Sequence, residues 1–347
     1  MKNKFLPIVL LCALLAACTQ NIPSTSSATP EQEQASVRAS FEEGQKLIPI
    51  TLPVGYIPNV QFAPFYVAIE KGFYRAQGLD VSMDYNMETD SVALIGAGEL
   101  DFAIVSGEQV LLGRAQGLPV VYVLAWYQQF PVGVAALADS GIQQPADLAG
   151  KQVGIPGLYG ASYIGLRALL QANGLQESDL TLDSIGYTQT EALLQGLEDA
   201  VVVYVSNEPI KLEAEGYPLN VLRVSDYLEL VANGLITSES MISEQPELVR
   251  GMVTATLQGI AYTSEHPDEA FEICKKYVDN LASLSAEDQE VQRAVLETSI
   301  PLFDISQNGA TSLSAWQNMQ QVLLDMGMLM EPIALEDAFT NQFLPQP

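Results

Sequence analysis

The chain has 347 residues, 42 of them Asp or Glu against 15 Lys or Arg, for a formal net charge of −27. That surplus repels phosphate backbones and anionic lipid surfaces, which excludes nucleic acid as a partner. Three cysteines and the single histidine, His266, supply no Cys/His set for zinc and no His-based triad.

At the start, Lys2 and Lys4 precede an apolar run from Phe5 to Ala17 that stops at Cys18. Its 13 residues fall short of the roughly 20 needed to span a bilayer and have the pattern of a secretion signal. The end of the run, Leu15-Ala16-Ala17-Cys18, resembles the bacterial lipobox, with a small residue before the cysteine and a thiol to take the diacylglycerol. Residues 1–17 are therefore expected to be removed, and Cys18 to be lipidated at the extracytoplasmic side of the cell membrane. Residues 18–46 are rich in Ser, Thr, Gln, Glu and Ala, with Pro23 and Pro30, and bury too little apolar surface to fold; they read as a flexible tether. Cys274 is then the only thiol besides Cys18, and no intramolecular disulfide is expected. It lies in a helical pattern as a buried, inert residue, whereas His266 falls in a break between two helices as a surface residue.

From Leu47 the periodicity predicts strands over Ile48 to Gly55, Leu79 to Tyr85, Asp101 to Val105 and Val120 to Trp126, with helices near 64–71, 91–97 and 108–116 between them. A second series predicts strands over Gln152 to Ile155, Leu180 to Ile185, Ala200 to Val205 and Leu219 to Val224, with helices over 162–173 and 190–197. Beyond Pro246 the pattern is helical, with Leu248, Val249, Met252, Val253, Leu257, Ile260 and Ala261 at amphipathic spacing. The expected fold is α/β and two-lobed: each lobe is a mostly parallel sheet flanked by helices, with a ligand cleft between them. Residues 47–131 and 235–347 form lobe 1, and 132–234 form lobe 2. The lobes are expected to close by hinge rotation about crossovers near 130–135 and 233–237.

Two segments echo each other. Gly98 to Glu108 and Gly196 to Glu208 both run from a helix end through a turn Asp and a buried strand into Ser-x-Glu. Ligand crevices in open α/β sheets form outside the carboxyl ends of strands, which would place Ser106, Glu108, Asn207 and Glu208 at a cleft. The alternative for Ser106 and Asn207 is to cap the helices that follow.

A broader resemblance is carried by Gly55-Tyr56-Ile57-Pro58-Asn59, by Phe65 to Tyr74 and by Gly78 to Val81. It continues through Gly98 to Asp101, Ser106, Gln116 to Val120 and Asp147 to Gly154, and ends at Asn207-Glu208-Pro209. This ordered series resembles the NMT1/Thi5-like solute-binding family, and within it looks most similar to the riboflavin receptors. The resemblance implies a binding lipoprotein of a bacterial ABC importer, working with permease and ATPase subunits, monomeric, and without a cofactor of its own. Members bind thiamine pyrimidine precursors, riboflavin, sulfonates or nitrate. The family also contains pyrimidine synthases that consume their own histidine and carry a cysteine-rich iron motif. This chain has neither a cysteine cluster nor a histidine in a cleft-facing loop, and is not expected to be an enzyme.

The ligand class follows from the candidate cleft loops. Residues 55–64, 106–109, 126–131, 156–163, 187–191 and 204–209 contain no Lys or Arg. An anion there would have only neutral donors, such as backbone N–H groups of Tyr159-Gly160-Ala161-Ser162 at a helix start. The same loops carry Tyr56, Phe62, Trp126, Tyr127, Tyr159, Tyr163, Tyr187 and Tyr204, flat faces with polar tips that suit a neutral aromatic heterocycle, although about half are expected to be core; Asn59 is a further ligand-binding candidate there. Glu108, Glu191 and Glu208 are candidate acceptors for an aminopyrimidine or imide edge. Riboflavin is the favoured ligand, followed by a thiamine pyrimidine precursor and a taurine-type sulfonate; a sensor that reports occupancy to a membrane partner is the alternative to transport.

Overall fold

A computed structural model describes residues 46–85 and 87–345. The signal, the lipidation site at Cys18 and the tether up to residue 45 lie outside the described residues. Strand β1 (Ile48–Pro53) pairs in parallel with β2 (Leu79–Asp84), and α1 (Ala63–Glu70) and α2 (Phe73–Ala76) form the crossover. Helix α3 (Glu88–Ala97), β3 (Ala103–Val105), α4 (Gly107–Ala115) and β4 (Val120–Ala125) complete the first half of the pattern. All six residues of β4 are buried, as a strand covered on both faces requires. A parallel bridge from Val54 to Ile104 links the end of β1 to β3.

The chain then builds a second sheet from β5 (Val132–Leu137), β6 (Gln152–Ile155), β7 (Thr181–Ser184), β8 (Ala200–Tyr204) and β9 (Leu219–Arg223), in the order β7-β6-β8-β5-β9. Helices α5 (Gly160–Ala172), α6 (Gln189–Leu194) and α7 (Glu208–Ala214) connect its strands. Along β8 the pleat divides the side chains: Ala200 and Val202 join the main core, while Val201 and Val203 pack with Ala135, Leu193 and Leu212 on the other face. Strand β10 (Gly234–Ser238) returns to the first sheet and inserts between β3 and β4. The remaining helices, α8 (Glu239–Glu244), α9 (Pro246–Glu265), α10 (Pro267–Cys274), α11 (Ala286–Phe303) and α12 (Leu313–Asp325), follow, with α9 and α10 packed on α1. Among the described residues no helix is long and apolar enough to cross a membrane.

Two strands depart from expectation. β5 and β10 were not predicted, and each runs antiparallel to both of its neighbours, so each mostly parallel sheet carries one reversed strand. Both are buried on both faces and built from small or apolar residues, Val-Gly-Val-Ala-Ala-Leu and Gly-Leu-Ile-Thr-Ser, so neither shows the alternation that marks a half-buried strand. Gly234 permits the insertion: a Cβ there would overlap the Tyr122 ring and the Leu124 carbonyl. The expected hinges are corrected by the same observation. Residues 133–135 and 234–236 are strand residues paired on both sides, so the chain crosses between the sheets at 126–131 and 224–233.

His266 is exposed where α9 meets α10, against the Tyr262 ring. Cys274 is fully buried, and burial pushes its thiol pKa far up, which leaves the sulfur protonated and inert.

Candidate functional site

The carboxyl ends of β1, β2, β4, β6, β7 and β8 open on one cleft, as does the amino end of antiparallel β10. Its empty volume, open mouth included, is about 1050 Å³. From the β1 end come Gly55 and Tyr56, then Gln61 and Phe62; from the β2 end, Met87, Glu88 and Thr89; from the β4 end, Trp126 and Tyr127. The second sheet contributes Pro156, Tyr159, Gly160, Ala161, Ser162, Tyr187, Gln189, Tyr204, Asn207 and Glu208, and Asn233 precedes β10. This lining contains no Lys and no Arg.

The floor is aromatic. Trp126 lies 5.4 Å from Phe62, 5.0 Å from Phe65 and 4.3 Å from Tyr127 between ring centroids, and Phe303 backs both Trp126 and Tyr127. At the mouth, Tyr56 meets Tyr187 edge-on at 5.3 Å, a contact between the two halves of the cleft. Tyr159 and Tyr187 are exposed there. Polar contacts tie the halves below. Gln61 Nε2 donates to Ser206 Oγ at 3.0 Å, and the Tyr204 hydroxyl donates to Asn233 Oδ1 at 3.4 Å.

Three carboxylates stand in the first turns of helices: Glu88 of α3, Glu108 of α4 and Glu208 of α7. A helix N-terminus carries partial positive charge and favours them there. Glu208 accepts from the Tyr204 backbone N–H at 3.0 Å and from Asn207 Nδ2 at 2.8 Å, while burial raises its pKa. Glu88 accepts from Ser106 N at 3.0 Å, Ser106 Oγ at 2.7 Å and Asn233 Nδ2 at 3.1 Å. Burial first, and the charge of Glu108 second, push the Glu88 pKa up to about 7. Gly55 makes room for this arrangement, because a Cβ at that position would overlap Glu88 Cγ. Two buried polar atoms of the lining, Trp126 Nε1 and Asn207 Oδ1, have no hydrogen-bond partner. A buried N–H and a buried carbonyl left in this state mark places where a ligand or water completes the bonding.

Of the residues picked out in the sequence, Tyr56, Phe62, Trp126, Tyr127, Tyr159, Gly160, Ala161, Ser162, Tyr187, Tyr204, Asn207 and Glu208 line the cleft. Three do not. Asn59 is buried behind it, its Oδ1 accepting from the Gln61 N–H to start a short 3₁₀ turn. Ser106 and Glu108 are fully buried behind the wall; Ser106 does not cap α4, because its hydroxyl is held between Glu88 and Glu108. Asn207 has no capping bond either, its amide being turned to Glu208. Glu191 is exposed outside the lining, and Tyr163 bonds Glu177 on the surface side of α5. The residues missed are Gly55, Gln61, Met87, Glu88, Thr89, Ile104, Gln109, Pro156, Gln189 and Asn233. Glu88 escaped because α3 was expected to start at Ser91, three residues late, and Asn233 because β10 was not seen.

A sequence profile described as NMT1/THI5 like matches residues 59–270. The chain belongs to the NMT1/THI5-like family. It is 38% identical to the riboflavin-binding protein RibY of Chloroflexus aurantiacus, over 97% of this chain and 96% of that one. It is 28% identical to the formylaminopyrimidine-binding protein of Halalkalibacterium halodurans, over 97% and 98%. Family members at 25% identity include a 4-amino-5-hydroxymethyl-2-methylpyrimidine phosphate synthase of Legionella pneumophila, over 85% and 92%. The periplasmic aliphatic sulphonate binding protein SsuA of Escherichia coli superposes with a TM-score of 0.65 at 15% identity, covering 87% of this chain and 92% of that one. The fold is that of the periplasmic binding proteins.

Proposed function

We propose that this chain is the substrate-binding lipoprotein of an ABC importer, anchored outside the cell membrane through Cys18, and that it captures riboflavin for uptake. The observation that carries this reading is the cleft itself: an aromatic floor of Phe62, Trp126 and Tyr127, walls of amides and carboxylates, and a lining without a cation. Aromatic faces receive a flat ring, and the unpartnered Trp126 N–H and Asn207 carbonyl receive its polar edge. The RibY relative, similar over nearly the whole chain, supports the same ligand. An anionic sulfonate would instead meet Glu88 and Glu208 with no Lys or Arg to offset them. In this reading residues 47–131 with 235–347, and 132–234, act as lobes that close on the ligand, and the loaded monomer delivers it to permease and ATPase subunits. It is a receptor rather than a synthase; the sole histidine lies outside the cleft.

A second ligand, a formylaminopyrimidine, is favoured by one specific feature, the pair of cleft carboxylates Glu88 and Glu208 that can accept from an amino group. Isothermal titration of the purified full chain against riboflavin, a formylaminopyrimidine and taurine ranks these readings. Riboflavin is expected to bind with quenching of its fluorescence, and tight taurine binding with no response to riboflavin would overturn the assignment.

A further inference from the structure

The hydroxyl of Ser106 lies within hydrogen-bonding distance of two carboxylates at once, Glu88 Oε2 at 2.7 Å and Glu108 Oε1 closer still. A hydroxyl has one hydrogen, which serves one of these oxygens. With both carboxyls ionised, the other contact would set lone pair against lone pair in a buried site, so a second hydrogen must lie between them. The surrounding donors decide where the charge rests. Glu88 collects Ser106 N–H, Ser106 O–H and Asn233 Nδ2–H, whereas Glu108 receives, besides the serine, Gln109 Nε2 at a longer 3.2 Å and its own backbone N–H, and its Oε2 has no partner. Donors favour the ionised form of the group they reach. The arrangement is thus Glu108 O–H to Ser106 Oγ, and Ser106 O–H to Glu88 carboxylate.

Lone-pair counting on Glu88 then shows what it offers. Each carboxylate oxygen accepts about two bonds. Oε2 has both, from Ser106; Oε1 has one, from Asn233, and Glu88 lines the cleft.

We propose that Glu88 is the specificity-determining acceptor of the cleft, selecting ligands with an N–H edge, and that Ser106 and Glu108 position it by sharing one proton between the two carboxyls. The proposal deepens the functional reading and rests on it for the identity of the cleft. Among the described residues no cation competes for the pair. On α3, Asp90 is exposed; on α4, Arg114 pairs with Glu239 and Asp337; β3 and β10 carry no ionisable side chain; and Tyr122 of β4 donates to the Ala232 carbonyl. Across the cleft stand Tyr187, Tyr204 and Glu208, all neutral or negative. The titration belongs to the pair: burial of both carboxyls holds their shared proton well above the ordinary carboxylate range. Once that proton leaves, two anions compete for one serine hydrogen, Glu88 loses its fixed position, and affinity falls.

The test has two arms on the full chain. Without ligand, infrared spectra between about pH 6 and about pH 9 are expected to show a protonated-carboxyl C=O band that titrates away and is missing in Glu108→Gln, whose amide can still donate to Ser106. With riboflavin, Glu88→Gln is expected to bind about tenfold or more weakly, as loss of a charge-assisted bond implies. Glu108→Gln is expected to lose the alkaline decline in affinity, and Ser106→Ala to weaken binding at every pH. A wild type without the band, a flat wild-type pH profile, or unimpaired Glu88→Gln would each overturn the proposal. If riboflavin does not bind, the ligand assignment falls; the infrared arm still decides the shared proton, and a formylaminopyrimidine replaces riboflavin as probe for Glu88.

Discussion

Trp126 combines two properties that a single substitution cannot separate: a buried ring packed on Phe62, Phe65 and Tyr127, and an indole N–H without a partner. Trp126→Ala is expected to weaken riboflavin binding about tenfold or more through loss of the aromatic wall. Trp126→Phe keeps a face but not the donor, so a further loss of several-fold beyond any change in ring area, measured by titration, would report a hydrogen bond to the ligand. Glu88 makes a prediction about stability as well. Its folded pKa, about 7, stands above its ordinary value of 4.5, so its contribution is complete below about pH 4.5 and is lost as pH rises through about 7. The melting temperature of the wild type is expected to fall between about pH 5 and about pH 7 and to level off above, with a shallower decline in Glu108→Gln. Residues of this kind divide by how they can be read in a sequence. Tyr56, Trp126, Tyr204 and Glu208 follow strands that announce themselves by apolar runs. Glu88 and Gln61 reach the cleft only through a helix start and a 3₁₀ turn, and local periodicity does not fix either.

At the level of elements, the parallel units were legible because each has an apolar strand, a turn and an amphipathic helix in order. The antiparallel strands were not. β5 and β10 are buried on both faces and show no alternation, so only their pairing partners, distant in sequence, define them. Their position bears on closure. The chain crosses between the sheets at 126–131 and 224–233, directly beside Trp126, Tyr127 and Asn233 of the cleft. Ligand contacts at those residues would therefore be coupled to the crossings about which closure is expected. Small-angle scattering on protein shown to start empty is expected to give a smaller radius of gyration with riboflavin than without. Equal radii in a sample that demonstrably binds would count against hinge closure.

Across the whole molecule, the anchor and the receptor body are expected to work independently. Cys18→Ser should release the protein from membranes while leaving riboflavin affinity unchanged; a variant retained in the membrane fraction after confirmed signal cleavage would remove the lipid anchor from the proposal. The insertion of β10 between β3 and β4 has a consequence for how the chain acquires its structure. β3 and β4 have no direct pairing with each other, and the strand that joins them appears only after the entire second sheet has been made. A chain emerging from its amino end therefore cannot complete its first sheet early. Contacts so distant in sequence carry a large loop-closure entropy and slow folding. The second sheet, continuous from β5 to β9, is the part able to form first, and it would template the return strand. Such a molecule can complete its native order only once β10 is available, which would leave the first sheet open during the export proposed above.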